Sequence, residues 1–198
     1  MVSPVRRWGL PLLLWTGIGL MCWISLSCGL GPSETGSPEC VAGPGPASPL
    51  HGGLGLAALI CGMVLVQSKR DPARHPVLMS LYALAVLGCV FSGAALMASD
   101  PPTWPERLGR VVWGALWLGS CLRAVWKADT AEIGAARFWL ALSFSLGFAA
   151  ISFRVLTIVL MIGPGLPVAW SRALALWSVL AVHGLGVCLS RLGRFRLQ

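Results

Sequence analysis

The sequence predicts an all-α protein, a polytopic integral membrane bundle of six transmembrane helices that forms one domain over residues 1–198. Hydrophobic residues make up 56% of the chain and charged residues only 11%, and the mean hydropathy is +0.77, far from a soluble composition. Several apolar runs reach the roughly 20 residues that a membrane-spanning helix needs. The longest polar interval, residues 31–50, is too short and too rich in Pro, Gly and Ser to bury a core of its own.

The positive charge of the chain does not indicate nucleic acid. The net charge is +8, but a nucleic-acid-binding protein gathers its basic residues on one soluble face. Here the basic residues separate apolar runs. The predicted partner is therefore the lipid bilayer, with no nucleic acid.

Six windows are long and apolar enough to be predicted as spans. Prolines and tryptophans concentrate at their boundaries, where helices break and amphipathic rings lie at the membrane interface. The fourth window carries Arg123 near one end, from which a long side chain can snorkel to the headgroups. Residues 31–49 are predicted to form a flexible outer loop. The predicted spans are residues 8–30, 50–67, 77–98, 108–126, 138–163 and 170–190.

The first span has an alternative interpretation as a cleaved signal peptide. Arg6 and Arg7 precede an apolar run that ends in Ser25-Leu26-Ser27 before Cys28, which resembles a signal-peptidase site. Its apolar run is longer than the 7 to 15 residues usual for such a peptide. Cleavage would leave five spans with the same orientation.

Basic loop residues collect on the cytoplasmic side of a membrane. With six spans both termini lie in the cytoplasm, because the basic residues then divide unequally between the two sides of the membrane. The membrane is predicted to be the plasma (inner) membrane. The cytoplasmic side would hold Arg6, Arg7, Lys69, Arg70, Arg74, Arg123, Lys127, Arg137, Arg191, Arg194 and Arg196, and the outer side Arg107, Arg110 and Arg172.

Two of the seven cysteines, Cys28 and Cys40, fall at or beyond the outer end of the first span. In an oxidising space they would form a disulfide, and otherwise they are two thiols. The remaining cysteines lie within spans, where they act as small apolar packing residues. No zinc-ligand spacing is present.

Arg154 is the main candidate for function because it lies inside the apolar stretch AAISFRVLTIVL. At helical spacing it shares a face with Ser143, Gly147 and Thr157, while Leu146 points elsewhere. Small residues let helices approach closely, so this face is predicted to pack against protein. Arg154 would then point into the bundle, about 14 Å from the outer end of its span.

No carboxylate is predicted inside a span, since all seven are assigned to loops, so Arg154 has no predicted salt bridge. Two alternatives stay open. Arg154 either hydrogen-bonds backbone carbonyls or snorkels to the outer phosphates. Or it binds an anionic group such as a lipid phosphate, a carboxylate substrate or a haem propionate.

The three histidines are predicted at different depths. His51 opens the second span at the outer face, His75 precedes the third at the inner face, and His183 lies inside the sixth. A bis-histidine haem needs two of them at one depth; His75 and His183 are the nearer pair but are not level. The simpler interpretation of His183 is a hydrogen bond to a neighbouring helix.

Four groups of spaced residues mark the starts and ends of the predicted spans: His51 with its following glycines, Arg74-His75-Pro76, Arg137-Phe138-Trp139 and Ile151-Ser152-Phe153-Arg154. Over most of residues 50–160 this arrangement resembles the bacterial predicted membrane proteins grouped as domain of unknown function 2306. In that family a histidine opens one span, a His-Arg pair opens the next, and a His-Arg-x-Trp-Met stretch opens a later span that closes on an arginine.

The chain departs from the family pattern at three positions. Ala136 replaces the later histidine, Leu140 replaces the methionine, and Pro76 replaces the basic residue after His75. If the inner-face histidines of the family form a paired site, this chain retains only His75. The likeness of the family to multi-span cytochrome b proteins implies a redox role by analogy of fold.

Two functions therefore stay open. In the first, a non-enzymatic bundle binds or passes an anionic or amphipathic small ligand near Arg154, with Ser143, Gly147, Thr157 and His51 beside it and Ser145 and Ser152 as further polar contacts. In the second, the protein is a membrane haem b or quinone redox protein that uses His183 and His75. Hydrolytic catalysis is disfavoured because no serine, histidine and carboxylate meet at one depth.

Overall fold

The structure, a computed structural model, describes residues 47–68, 75–99 and 102–195, and within these ranges all regular secondary structure is α-helical. There are five described helices: α1 (Ala47–Gln67), α2 (Pro76–Ser99), α3 (Trp104–Asp129), α4 (Ile133–Ile162) and α5 (Val168–Phe195).

Proline and glycine mark where these helices begin and end. Pro76 is the first residue of α2, and Pro105 lies in the first turn of α3, where a missing N–H costs nothing. Helices α4 and α5 are joined by residues 163–167, in which Gly165 has a φ of 66° that a residue with a side chain rarely adopts. Between these ends each helix forms its own backbone hydrogen bonds, as a segment in lipid requires.

Helix α4 is central to the packing. It contacts α1, α3 and α5, while α3 also contacts α2 and α5, and α1 packs against α2. The best-buried side chains lie along these contacts and include Tyr82, Leu140, Leu146 and Cys121. Large apolar side chains such as Phe91 and Ile162 are exposed on the outside, as expected of a surface that faces lipid.

Within the described ranges, four helical segments are long and apolar enough to cross a membrane: Pro49–Gln67, Pro76–Ala98, Ile133–Ile162 and Val168–Gly186. They coincide with the second, third, fifth and sixth predicted spans. The fourth predicted span lies within α3, which is helical but is not among these four. The first predicted span, Cys28, Cys40 and residues 31–46 of the predicted loop lie outside the described residues, and residues 47–49 are helical. Several membrane-spanning helices are therefore supported, and six spans stay a prediction.

Candidate functional site

The bundle has two ends, named here for the histidines that they carry. The His51 end contains the first residues of α1, α3 and α5 and the last residues of α2 and α4. The His75 end contains the opposite helix ends. This arrangement follows from the up-and-down order of five helices that are joined by short connections.

Arg154 lies at the His51 end, eight residues or about 12 Å before the end of α4. Its side chain is half-buried. On the same helix Ser143, Gly147 and Thr157 are buried, as the packing prediction requires. Leu146, which was predicted to point elsewhere, is also buried, with 1% of its surface exposed. Three helices pack around α4, so α4 buries more than the face that carries Arg154.

Arg154 and His51 lie at the same depth on neighbouring antiparallel helices. Gly62 of α1 packs against the ring of Phe144 of α4, and His51 precedes Gly62 by eleven residues while Arg154 follows Phe144 by ten. The charges of Arg154 and Arg110 act on the His51 imidazole at this end of the bundle. Among the described residues, the Arg154 guanidinium has no hydrogen-bond partner and no carboxylate partner. The Arg154 guanidinium thus has donors that no described residue uses, at the depth of His51.

His51 is held in one orientation by α2. Its Nδ1 lies 3.0 Å from the backbone carbonyl oxygen of Cys89 and 3.1 Å from Oγ of Ser92. A carbonyl only accepts, so Nδ1 carries the proton and Nε2 of the neutral ring is an acceptor. Gly93 lets the ring lie close, because a Cβ there would be 3.2 Å from Cε1 of His51.

Glu106 is an acidic residue of this end that the sequence interpretation misplaced. It was assigned to a loop, but it lies in the first turn of α3 with only 2% of its surface exposed. Its carboxylate forms an ion pair with Arg110, one helical turn later. The sequence carried a signal for this pair, since Glu and Arg four residues apart face each other on a helix.

The described part of the His51 end therefore carries more basic than acidic groups. Arg107, Arg110, Arg154 and Arg172 belong to it, and Glu106 is the one carboxylate among its described residues. Guanidinium groups remain available for a bound anion.

Three further predicted binding residues of α4 either lie far from Arg154 or make other contacts: Ser143, Gly147 and Thr157. Ser143 is eleven residues, or about 16 Å, from Arg154 along α4, and its Oγ lies 2.7 Å from the hydroxyl of Tyr82 in the core. Gly147 packs against the ring of Trp117. Thr157 donates to the carbonyl of Phe153 in its own helix. Of the predicted binding residues, Arg154 and His51 lie at the same depth of the bundle.

His183 bridges α5 to α4 through two serines. Its Nδ1 lies 3.0 Å from Oγ of Ser145, and its Nε2 lies 3.0 Å from Oγ of Ser152. The predicted hydrogen bond to a neighbouring helix is confirmed. Because both ring nitrogens have partners, neither is available to a metal unless a serine contact breaks.

His75 is at the opposite end of the bundle, where its Nε2 lies 3.4 Å from Oγ of Ser68. Tyr82 is level with Ser143, to which it is hydrogen-bonded. His75 precedes Tyr82 by seven residues, or about 10 Å along the bundle. The serines that hold His183 follow Ser143 in the other direction along α4. His75 and His183 are thus separated by more than about 10 Å along the bundle, and a haem iron ligated by both does not fit.

Comparison with known families identifies a match to this chain. The family model described as predicted membrane protein (DUF2306) matches residues 49–185, more than half of the chain. No curated protein and no solved structure gives a significant match. The match extends beyond residues 50–160, over which the sequence resemblance was noted, and covers His51, Arg154 and His183.

Proposed function

The chain belongs to the DUF2306 family of predicted membrane proteins, and from this premise we propose that it binds or passes an anionic or amphipathic small ligand at the His51 end. The observation that carries the proposal is the placement of Arg154. Its side chain is half-buried at the depth of His51, and its guanidinium has no carboxylate or hydrogen-bond partner among the described residues. A guanidinium suits carboxylate and phosphate oxygens because its planar donors match their geometry.

The depth of Arg154 favours a ligand that is reached from the headgroup region. The 30 residues of α4 extend about 45 Å, which exceeds the roughly 30 Å of the hydrocarbon core. If α4 is centred, each end projects by about 7 Å, and Arg154 lies about 5 Å below the headgroup boundary. The guanidinium can then meet lipid phosphates or soluble anions.

The orientation of the protein is part of the same proposal. With the His51 end on the outer side of the plasma membrane and both termini in the cytoplasm, the ligand would be taken from the outer leaflet or from outside. The predicted excess of basic residues on the other side supports this orientation.

The alternative function, a membrane haem b or quinone redox protein, has less support. The two serine contacts of His183 and the axial separation of His75 from His183 both count against histidine ligation of one haem. We therefore favour anion binding.

The test is the affinity of the purified protein for an anionic phospholipid. Protein in phosphatidylcholine nanodiscs would be titrated with phosphatidylglycerol, and binding followed by native mass spectrometry. Arg154→Gln should weaken binding about 10- to 100-fold, since a hydrogen bond to a charged group contributes about 1.5–3 kcal/mol.

Arg123→Gln is the matched control. Arg123 is exposed, lies at the His75 end, and packs its guanidinium 5.2 Å from the centre of the Trp139 ring. This variant removes the same charge without touching the proposed site and should bind as the wild type does. Equal affinity of Arg154→Gln and wild type would refute the proposal.

A further inference from the structure

The orientation of His51 limits which anions suit the site. Its Nδ1 is occupied by the Cys89 carbonyl and Ser92, so Nε2 offers a lone pair. Among the described residues, the side-chain atom within hydrogen-bonding range of Nε2 is Sγ of Cys89, at 4.0 Å, a distance at which a thiol donates at most weakly. The site thus combines a donor group, the Arg154 guanidinium, with an acceptor atom, Nε2 of His51, that receives no strong hydrogen bond from the described residues.

We propose that the ligand is a phosphate ester that carries a hydroxyl close to its anionic oxygens. The phosphate oxygens would accept from the Arg154 guanidinium, and the hydroxyl would donate to Nε2 of His51. This inference rests on the proposed function and specifies its ligand class. A phosphatidylglycerol headgroup and a soluble glycerol phosphate share this chemistry.

Other common anions match the site less well. A phosphodiester without a hydroxyl brings only acceptors, which would face the lone pair of Nε2. A phosphocholine headgroup brings a quaternary ammonium that cannot donate to Nε2 and that repels the nearby Arg110 and Arg154. A hydroxyl-bearing ester satisfies both partners at once, and an unmade hydrogen bond in a partly buried site is costly.

The experiment compares two lipids that differ in the hydroxyl. Phosphatidylglycerol and phosphatidylmethanol with the same acyl chains are both singly charged phosphodiesters, and only the first has free hydroxyls. In phosphatidylcholine nanodiscs, wild-type protein should prefer phosphatidylglycerol about three- to tenfold, the effect of one net hydrogen bond. His51→Ala should bind both lipids equally, and Arg154→Gln should bind both more weakly while keeping the ratio.

Ser92→Ala is the control for the shape of the site. It removes one contact of Nδ1 but leaves the Cys89 carbonyl and the Nε2 acceptor, so the lipid preference should persist. Competition with glycerol phosphate and methyl phosphate distinguishes the sources. Competition by glycerol phosphate alone would identify a soluble ester as the ligand, and failure of both to compete would identify the lipid.

The outcomes separate this inference from the proposed function. Equal, Arg154-dependent binding of both lipids by the wild type would overturn the hydroxyl requirement and leave anion binding intact. Binding that does not depend on Arg154 would overturn the proposed function and the inference with it. A preference that survives in His51→Ala would overturn the role of Nε2.

Discussion

Gly62 provides a sharp test of the packing between α1, α2 and α4. A Cβ at this position would lie 2.8 Å from Cε2 of Tyr82 and 2.8 Å from Cδ2 of Phe144, whereas carbon atoms pack at about 3.5–4.0 Å. Both rings are buried, and Tyr82 is also held by its hydrogen bond to Ser143. Gly62→Ala must therefore push α1 outward by about 1 Å, and overpacking of this kind typically costs about 1–3 kcal/mol.

Gly53→Ala is the matched control, because a Cβ at Gly53 would meet nothing within 4 Å. Both substitutions add the same methyl group to α1 and share the gain from replacing a flexible residue. The free energy of unfolding would be measured by titrating dodecyl sulfate into mixed micelles, with helicity as the signal. Gly62→Ala should be less stable than Gly53→Ala by about 1–3 kcal/mol. Two variants that agree within about 0.5 kcal/mol would refute the close approach of the three helices.

Three further predictions concern the core, His183 and orientation. Tyr82→Phe and Ser143→Ala should each lower stability by about 0.6–1.7 kcal/mol, and the double variant should lose little more than either single one; additive losses would contradict their hydrogen bond. His183→Ala should lower stability by about 1 kcal/mol through its lost serine contacts and leave the reduced-minus-oxidised visible spectrum unchanged; loss of a haem band would instead support the redox alternative. In a cysteine-free background, an impermeant maleimide should label Thr103→Cys in intact cells and Thr130→Cys only after lysis, and the reverse pattern would invert the proposed orientation.

The positions of the described helices could be predicted from the sequence because a chain in lipid can adopt few backbone structures. An apolar run must satisfy its backbone hydrogen bonds internally, so it becomes a helix, and prolines limit where it begins. Pro76 begins α2, one residue before the predicted span at residue 77. The predicted fifth span, residues 138–163, corresponds to α4, which ends at Ile162.

The contacts between helices could not be predicted in the same way. Periodicity along one helix identifies a face but not which helix covers it or at what depth. The sequence identified Arg154 and His51 by separate arguments, one from a charge inside a span and one from the start of a span. Their placement at one depth depends on the register in which α1 packs against α4, with Gly62 next to Phe144, and no pattern in one sequence fixes that register.

Glu106 was misplaced for a specific reason. Pro101, Pro102 and Pro105 suggested that the chain stays non-helical through residue 106. A proline is compatible with the first turn of a helix, however, because its missing N–H would have no helical partner there. Helix α3 therefore begins at Trp104 and carries Glu106 in its first turn, which brings the carboxylate within reach of Arg110.

The positions of the charged residues explain why α3 is not among the four segments that are apolar enough to cross a membrane. Its charged residues lie near its two ends, and residues 111–122 between them carry no charge. At one end Arg110 pairs with Glu106, and at the other Lys127 pairs with Glu132. The uncharged stretch is about 18 Å long, and snorkelling of the long basic side chains extends the length that it can cover. The low mean hydropathy of α3 thus arises partly from paired charges at its ends, and the pairing lowers the cost of placing Arg110 and Lys127 near lipid.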